Sequence, residues 1–262
     1  MKKQFLRLCL AALALMLLLA SCAKAPVLES KDGVYVNEKT GVSYLLAPEN
    51  YEAVAIDKDK TIARFPNKKM DDTLFYAIPG MPSQAYLSND FYELYYAADL
   101  KLPTLAEMAP HSALICKTAV ISYSLVEIDE AELIDALIAL YAGQGVDEDL
   151  LITEAGVPEQ YTLKFQSKDY PSFYYTLNYR RYDKEVTVYD LITDAENFEV
   201  KYPGVQVTTE EYKGETYAVY HLGTEILFDR TTGTCYPMGD MLKTYWEYLS
   251  STGAETDTAA AN

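Results

Sequence analysis

The sequence predicts an α+β fold in which antiparallel β-sheet built from hairpins predominates, with two or three helices added. Short segments that alternate apolar and polar residues recur along the chain, and turn-forming residues separate them. Few segments show helical spacing instead. Half of the 262 residues are hydrophobic and 24 are tyrosines, a residue type that suits half-buried strands. The chain is therefore expected to bury a sizeable core.

The first third of the body is predicted to be a meander of strands. The predicted strands are residues 33–37, 42–47, 53–57, 61–65 and 73–78, and the predicted turns are residues 38–41, 58–60 and 79–82. Gly41 can supply the positive φ that a hairpin turn needs, and charged residues fill the second turn. This spacing favours hairpins over parallel βαβ units.

Three segments are predicted to be helical. Thr104 and Glu107 have capping-box spacing, which predicts a short helix before Pro110. Residues 130–142 carry an apolar stripe at helical spacing, with Asp129 expected as N-cap and Gly143 as a left-handed end. A final amphipathic helix is expected over residues 240–249, around Trp246.

Strands return between residues 161 and 236. Residues 173–180 alternate in the manner of a half-buried antiparallel strand. Strands 217–222 and 225–229 are expected to pair across Gly223-Thr224, and residues 229–233 to turn toward Cys235. Residues 37–44 and 229–236 align with each other, which we interpret as one hairpin turn type used twice and not as a duplicated domain.

The N-terminus has the composition of a secretory signal. Lys2, Lys3 and Arg7 precede the apolar run Leu8 to Leu18, which ends in Leu19-Ala20-Ser21-Cys22. That ending resembles the bacterial lipobox. The resemblance covers the first 22 residues only and implies cleavage between Ser21 and Cys22 and attachment of diacylglyceryl to Cys22. A transmembrane helix is the alternative, but the apolar run is shorter than the ~20 residues that spanning requires.

The sequence thus predicts four regions. They are a cleaved signal peptide (1–21), a lipidated tether (22–31), an α+β extracytoplasmic domain (32–249, a subdivision near 129–150 left open) and a disordered tail (250–262). The resemblance implies a bacterial lipoprotein anchored to the lipid bilayer on the extracytoplasmic face of a cell-envelope membrane. Whether the host has one or two membranes stays open.

Sequence patterns of catalysis are missing. The sequence contains no recognisable hydrolase, nucleotide-binding, metal-ligand or cofactor motif, so no catalytic residue, metal or cofactor is predicted. Cys116 and Cys235, the two cysteines of the body, are either bridged or free. Cys235 and His221 are a conceivable thiol–base pair, with Asp229 or Asp240 to orient it, but packing and surface roles are favoured. The net charge of −17 disfavours nucleic-acid binding.

One segment combines aromatic, apolar and turn-forming residues in a way that suits a ligand groove. Its candidate lining residues are Tyr76, Pro79, Met81, Tyr92 and Tyr95. An aromatic-rich buried strand or helix explains the second half of the segment equally well.

We therefore expect a non-catalytic binding or interaction protein whose partners are the bilayer, through Cys22, and an envelope ligand or protein. Two alternatives remain. One is an anchored cell-wall or carbohydrate hydrolase that uses a pair of carboxylates. The other is a structural or assembly factor of an envelope complex, which an exposed apolar patch would favour.

Overall fold

The computed structural model describes residues 25–67, 71–118, 122–151, 155–196 and 198–247. The signal segment, Ser21, Cys22 and the tail 250–262 lie outside these residues. No helix of the described part is long and apolar enough to cross a membrane.

The chain divides into two compact units. The first unit comprises the described residues up to Leu46 together with Ile56–Leu100, and the second comprises Ala47–Ala55 and the chain from Lys101 onward. Residues 129–150, where the sequence left a subdivision open, lie within the second unit. Each unit is built around its own sheet.

The predicted class is confirmed, because both sheets are predominantly antiparallel and helices are short additions. The strands are β1 (Leu28–Lys31), β2 (Val34–Asn37), β3 (Val42–Leu46), β4 (Tyr51–Ala53), β5 (Asp57–Phe65), β6 (Thr73–Ala77), β7 (Tyr86–Ser88), β8 (Leu94–Ala97), β9 (Ser112–Thr118), β10 (Ser122–Ile128), β11 (Val146–Asp147), β12 (Glu159–Gln166), β13 (Phe173–Leu191), β14 (Gln206–Tyr212), β15 (Glu215–Asp229) and β16 (Thr234–Pro237). The helices are α1 (Leu105–Met108) and α2 (Ala131–Tyr141), a 3₁₀ turn covers Glu148–Leu150, and residues 243–247 are also helical.

The first unit contains a sheet of seven described strands in the order β1-β2-β3-β8-β7-β6-β5. Its core is aromatic. The ring of Phe75 lies 4.9 Å from that of Tyr95, and Tyr35 packs edge-on against both Phe65 (5.5 Å) and Tyr95 (5.4 Å). Edge-to-face contacts of this kind add about 0.5–1.5 kcal/mol each beyond the burial of apolar area.

The hairpin predicted around residues 58–60 is wrong. Strand β5 runs through these residues and pairs with β6, with register shifts between Asp57 and Thr61 and between Thr61 and Ala63. Residues 51–53 instead form β4, which pairs with β13. Charged residues need solvent, and an irregular strand at the sheet edge exposes them as well as a turn does.

The two aligned segments do form the same kind of turn. The carbonyl oxygen of Asn37 accepts from Gly41 N at 2.8 Å, and that of Asp229 accepts from Gly233 N at 2.9 Å. Both glycines have positive φ (+73° and +68°), and both Asn37 and Asp229 also accept turn N–H groups with their side chains. The shared turn geometry supports the interpretation that one turn type recurs.

The second unit contains a sheet in the order β10-β9-β12-β13-β15-β16-β11, to which β14 and β4 add by pairing with β15 and β13. The hairpin predicted across Gly223-Thr224 is wrong, because β15 continues through it. Gly223, at φ +77°, lies opposite Val186 where the β13–β15 register shifts. A bulge in a continuous strand can use a glycine at positive φ just as a turn can.

The helices agree with the sequence in type and differ at their ends. The capping box of Thr104 and Glu107 is present at α1. The N-cap of α2 is Glu130 and not Asp129, and its side chain makes no capping hydrogen bond. Helix α2 ends at Tyr141, its C-cap Ala142 has a right-handed conformation, and Gly143 is not left-handed as predicted. The last helical segment buries Trp246 against Tyr161 and Tyr179.

Candidate functional site

The first unit contains a cleft of about 600 Å³ at one end of its sheet. It is lined by Asn67, Asp71, Asp72, Thr73, Asn89, Asp90 and Phe91, and we call it the acidic cleft. The lining comes from the chain that joins β5 to β6 and from the turn that joins β7 to β8. Because β6 and β7 are antiparallel neighbours, the start of one lies beside the end of the other.

The turn between β7 and β8 is held by one buried side chain, that of Asn89. Its Oδ1 accepts hydrogen bonds from Phe91 N at 3.0 Å and from Glu93 N at 3.2 Å. The side-chain Nδ2 of Asn89 donates to the Glu93 carboxylate. The backbone carbonyl oxygen of Asn89 accepts a hydrogen bond from Tyr92 N at 3.1 Å. Both ends of the Asn89 amide are therefore engaged, which fixes the turn.

Backbone strain and exposure coincide in this turn. Tyr92 has φ +62°, a left-handed conformation that is uncommon for a bulky side chain and costs on the order of 1–3 kcal/mol. The neighbouring side chain of Phe91 is 80% exposed at the rim of the acidic cleft. The turn thus presents an aromatic ring to solvent from a backbone that is locked in place.

Two of the three aspartates that line the acidic cleft, Asp72 and Asp90, form ion pairs. Asp72 forms an ion pair with Arg64 at 2.5 Å. Asp90 forms an ion pair with Lys58 at 3.1 Å and accepts a hydrogen bond from Tyr76 Oη at 3.2 Å. The bond to Asp90 raises the pKa of Lys58, and burial followed by the same carboxylate raises the pKa of Tyr76. At neutral pH Lys58 therefore keeps its proton and its ion pair.

Carboxylates beside an exposed aromatic face suit a ligand that carries an ammonium or guanidinium group. Ring faces attract such cations by about 0.5–2 kcal/mol, and carboxylates form charge-assisted hydrogen bonds with them. The cleft is also of the size that small-molecule sites usually have. The carboxylates of Asp72 and Asp90 are already held by neighbours, which at these two groups favours binding over proton transfer.

The five residues predicted to line a groove are only partly brought together. Tyr76 is buried and reaches the cleft through its bond to Asp90, while Tyr92 lies on the turn that carries Phe91. Tyr95 is buried in the aromatic core instead. Pro79 and Met81 follow the opposite end of β6 from Thr73.

The residues that line the cleft were missed because they sit in polar turns. The signal for them was present in Asn89-Asp90, a pair of strong turn formers directly before two aromatic residues. What the sequence could not show is that the segment around Asp72, distant along the chain, folds to the same place.

The thiol–base pair considered from the sequence is not formed. Cys116 and Cys235 are both buried free thiols, so no disulfide joins these two cysteines. Cys235 lies opposite Phe228, seven residues along β15 from His221, a separation of about 20 Å at the rise of a strand. Burial raises the pKa of Cys235 to about 12, which disfavours the thiolate that a nucleophile needs.

His221 and Asp229, the proposed base and one of its proposed orienting residues, contact other side chains. His221 Nδ1 lies 3.1 Å from the Glu185 carboxylate and its Nε2 lies 2.9 Å from Thr208 Oγ1. Asp229 is bonded to Asn50 and Tyr141. Among the residues that the structure describes, no three His, Cys, Asp or Glu side chains are grouped to hold a metal ion.

Comparison of this chain with protein-family models, with curated proteins and with solved structures finds no match.

Proposed function

We propose that this chain is a lipid-anchored, extracytoplasmic binding protein without catalytic activity, and that its acidic cleft takes a ligand bearing an ammonium or guanidinium group. The observation that carries the proposal is the turn of Asn89–Glu93. An exposed phenylalanine gains nothing from solvent, yet the buried Asn89 side chain and the strained Tyr92 hold Phe91 outward. Strain that is kept in a rigid turn is a common property of ligand sites.

The cleft supplies the charge that such a ligand needs. Asp71, Asp72 and Asp90 line it. Among the described residues Arg64 pairs with Asp72 and Lys58 with Asp90, which leaves the Asp71 carboxylate in excess, while Lys68 and Lys69 lie outside the described residues. Asp71 and Phe91 both line the cleft, so a cationic ligand bound there would have a carboxylate and an aromatic ring among its neighbours. Binding hot spots are typically aromatic side chains that other contact residues surround.

The ligand class is tested by a thermal-shift screen of amines, guanidines, sugars, peptidoglycan fragments, peptides and metal ions. A one-site ligand at 100 times its dissociation constant stabilises the fold by about 2.7 kcal/mol. We expect amines or guanidines to raise the melting temperature of the wild type and not that of Phe91→Ala. Leu46→Ala is the matched control, because Leu46 is also an exposed apolar residue of the first unit.

The outcomes of the screen separate the alternatives. A cationic hit that Phe91→Ala abolishes and Leu46→Ala leaves intact supports the proposal. A screen in which no cation shifts the melting temperature overturns the choice of ligand class. Turnover of a cell-wall or sugar hit would overturn the non-catalytic assignment and favour an anchored hydrolase.

The anchor is tested separately. The sequence support for it is Leu19-Ala20-Ser21-Cys22 after the apolar run. Cells that express the chain and grow with labelled palmitate should incorporate label into the wild type and not into Cys22→Ser, because the thiol is the attachment point. Two or more acyl chains hold a protein firmly to a bilayer, so Cys22→Ser should also lose firm membrane association. Label that persists in Cys22→Ser would contradict the lipidation site.

A further inference from the structure

A second surface lies in the second unit, on a three-stranded ribbon. The ribbon consists of residues 186–191 of β13, residues 215–223 of β15 and the whole of β14, with β15 in the middle. One face packs against the hydrophobic residues Ile192, Phe198 and Val205. We call the opposite face, which carries Tyr189, Tyr217 and Tyr212, the tyrosine face.

The strand register assembles the tyrosine face. Leu191, Tyr217 and Glu210 lie side by side across the three strands, and Tyr189, Val219 and Thr208 form the next row. The rings of Tyr189 and Tyr217 are 6.3 Å apart. Tyr212 is 60% exposed and Leu191 is 43% exposed. Tyr189 is 38% exposed, whereas Val219 in the middle strand is buried, so the apolar groups that meet solvent are the tyrosines and Leu191.

The charge on this face is negative. Glu210 accepts from Tyr189 Oη at 3.3 Å, Glu215 accepts from Tyr217 Oη at 2.7 Å, and Glu185 lies beside His221. Within the part of the chain that the structure describes, no lysine or arginine forms an ion pair with these three glutamates. Two described lysines adjoin this face: Lys213 lies over the Tyr212 ring at 4.9 Å, and the exposed Lys184 directly precedes Glu185 in β13. Carboxylates therefore outnumber cations here.

Strand β14 gives this surface an open edge. It pairs with β15 in unbroken register from Gln206 opposite His221 to Tyr212 opposite Glu215. Along its other side no described strand pairs with it. Its sequence contains no lysine, proline or glycine, and the charged side chains that protect this edge against unspecific pairing are the acidic Glu210 and Glu211. The edge therefore offers a regular row of backbone donors and acceptors to an added strand.

We propose that β14 receives an extended peptide segment of another protein, bearing lysine or arginine at alternate positions, as an added antiparallel or parallel strand. This function goes beyond the cleft of the first unit. Side chains alternate along a strand, so every second residue of the added segment would meet Glu210 and the tyrosine face. The intervening residues would meet Glu211 on the other face.

Charge favours a basic peptide over two other candidate partners of the β14 edge, a second copy of the chain and the C-terminal residues. A second copy pairing antiparallel through its own β14 over residues 206–212 would set Glu210 opposite Thr208 and Glu211 opposite Val207, with the two Glu210 side chains on a diagonal. That pairing offers neither glutamate an opposite charge, and like charges that are neighbours on paired strands are destabilising. The C-terminal residues 250–262 contain Glu255 and Asp257 and no lysine or arginine, so the acidic edge repels them as well. A basic strand is the occupant that gains both backbone bonds and charge pairing.

The test uses three fluorescent peptides of about nine residues. The first alternates lysine and threonine, the second replaces lysine by glutamate, and the third is the lysine peptide with alternate backbone amides N-methylated. We expect the lysine peptide to bind in fluorescence anisotropy and to protect residues 206–212 from hydrogen–deuterium exchange. The glutamate peptide should fail to bind, and N-methylation should weaken binding at least about tenfold because it removes backbone donors.

Variants locate the contact. The double variant E210K/E211K should lose lysine-peptide binding and gain glutamate-peptide binding, while E210Q/E211Q should give an intermediate loss. E127K is the matched control, since Glu127 is an exposed glutamate of β10, at the other end of the same sheet. Phe91→Ala should leave this binding unchanged, so its result is independent of the cleft.

Three results would overturn the inference. Equal binding of the N-methylated peptide would indicate attraction by charge alone. Unchanged binding by E210K/E211K would place the peptide elsewhere. Dimerisation of the wild type that E210K/E211K alters, without protection of residues 206–212 by the lysine peptide, would make a second copy the occupant.

Discussion

The hydroxyl of Tyr141 donates a hydrogen bond of 2.8 Å to the carboxylate of Asp229, which joins α2 to the turn between β15 and β16. Asp229 is only 1% exposed. Its other oxygen accepts from Asn50 Nδ2 at 3.0 Å and from Thr231 N at 2.8 Å. The Tyr141 hydroxyl also lies 2.7 Å from that of Tyr175. A buried carboxylate with this many donors holds several parts of the second unit together.

Removal of this carboxylate should destabilise the protein strongly. Asp229→Ala removes the charged acceptor of three hydrogen bonds, from Asn50 Nδ2, the Tyr141 hydroxyl and Thr231 N. A hydrogen bond to a charged group contributes about 1.5–3 kcal/mol, and Asn50 and Tyr141 each keep a second neighbour, Thr176 O and Tyr175 Oη, that offsets part of the loss. We expect the free energy of unfolding in urea to fall by about 3 kcal/mol, with a smaller loss for Tyr141→Phe. Asp135→Ala, at an exposed position of α2, should change it by no more than about 0.5 kcal/mol. Equal effects of the two aspartate variants would contradict this role.

The end of α1 should be improved by a glycine. Ala109 has φ 45° and ψ 61°, a left-handed conformation in which its Cβ is strained, and the residue is exposed. Ala109→Gly should therefore raise the free energy of unfolding by up to about 1 kcal/mol, measured by denaturant titration. Ala106→Gly, an exposed position inside the same helix, should lower it by a similar amount. Destabilisation by both variants would show that the conformation at Ala109 carries no strain.

Buried tyrosines should make the fold sensitive to alkali. Burial raises the pKa of Tyr95, Tyr141 and Tyr179 in the folded state, whereas in the unfolded chain tyrosine titrates near pH ~10. Below that pH both states are protonated and stability is unaffected. Above it the unfolded chain loses protons first, so stability falls as pH rises.

Phenolate absorbance and circular dichroism against pH measure this effect. Exposed tyrosines should titrate near pH ~10 while the fold persists, and the buried ones only as structure is lost. Tyr95→Phe should lessen the alkaline loss of stability, and Tyr212→Phe, at a 60% exposed position, should not. Titration of all 24 tyrosines in one phase with an unchanged fold would contradict the prediction.

The two body cysteines should be unreactive in the native protein. Burial raises the pKa of both thiols, and Cys235 is completely buried. Alkylation near pH ~8 followed by peptide mass spectrometry should therefore label Cys116 and Cys235 only after denaturation. Labelling should not require a reducing agent, because neither is bridged. A requirement for reduction would contradict the free thiols.

Local patterns were enough to predict the fold class, the capping box at Thr104 and the turn that ends at Gly41. Each depends on residues a few positions apart, whose preferences hold in any surroundings. The prediction failed at residues 58–60 and at Gly223, where the same local pattern permits either a turn or an irregularity inside a strand. The choice between them depends on which strand lies alongside.

The candidate site shows the same limit. Sequence analysis selected Tyr76 and Tyr92, which lie at or beneath the acidic cleft, but it also selected Tyr95, whose ring is in the core. Aromatic residues that are adjacent in sequence point to opposite faces of a strand. Which face is buried is decided by the opposing strands and not by the tyrosines.

By itself the sequence determined the antiparallel α+β class, the acidic charge, and the resemblance of residues 19–22 to a lipobox, because these follow from composition and short-range spacing. Only the tertiary structure decided that Asp72 and Asp90 line one cleft, that Tyr141 bonds to Asp229, and that no described strand pairs with the outer side of β14. Each of these depends on which distant segments of the chain pack together. That choice is made by the free energy of packing the whole fold and not by the local preferences of each segment.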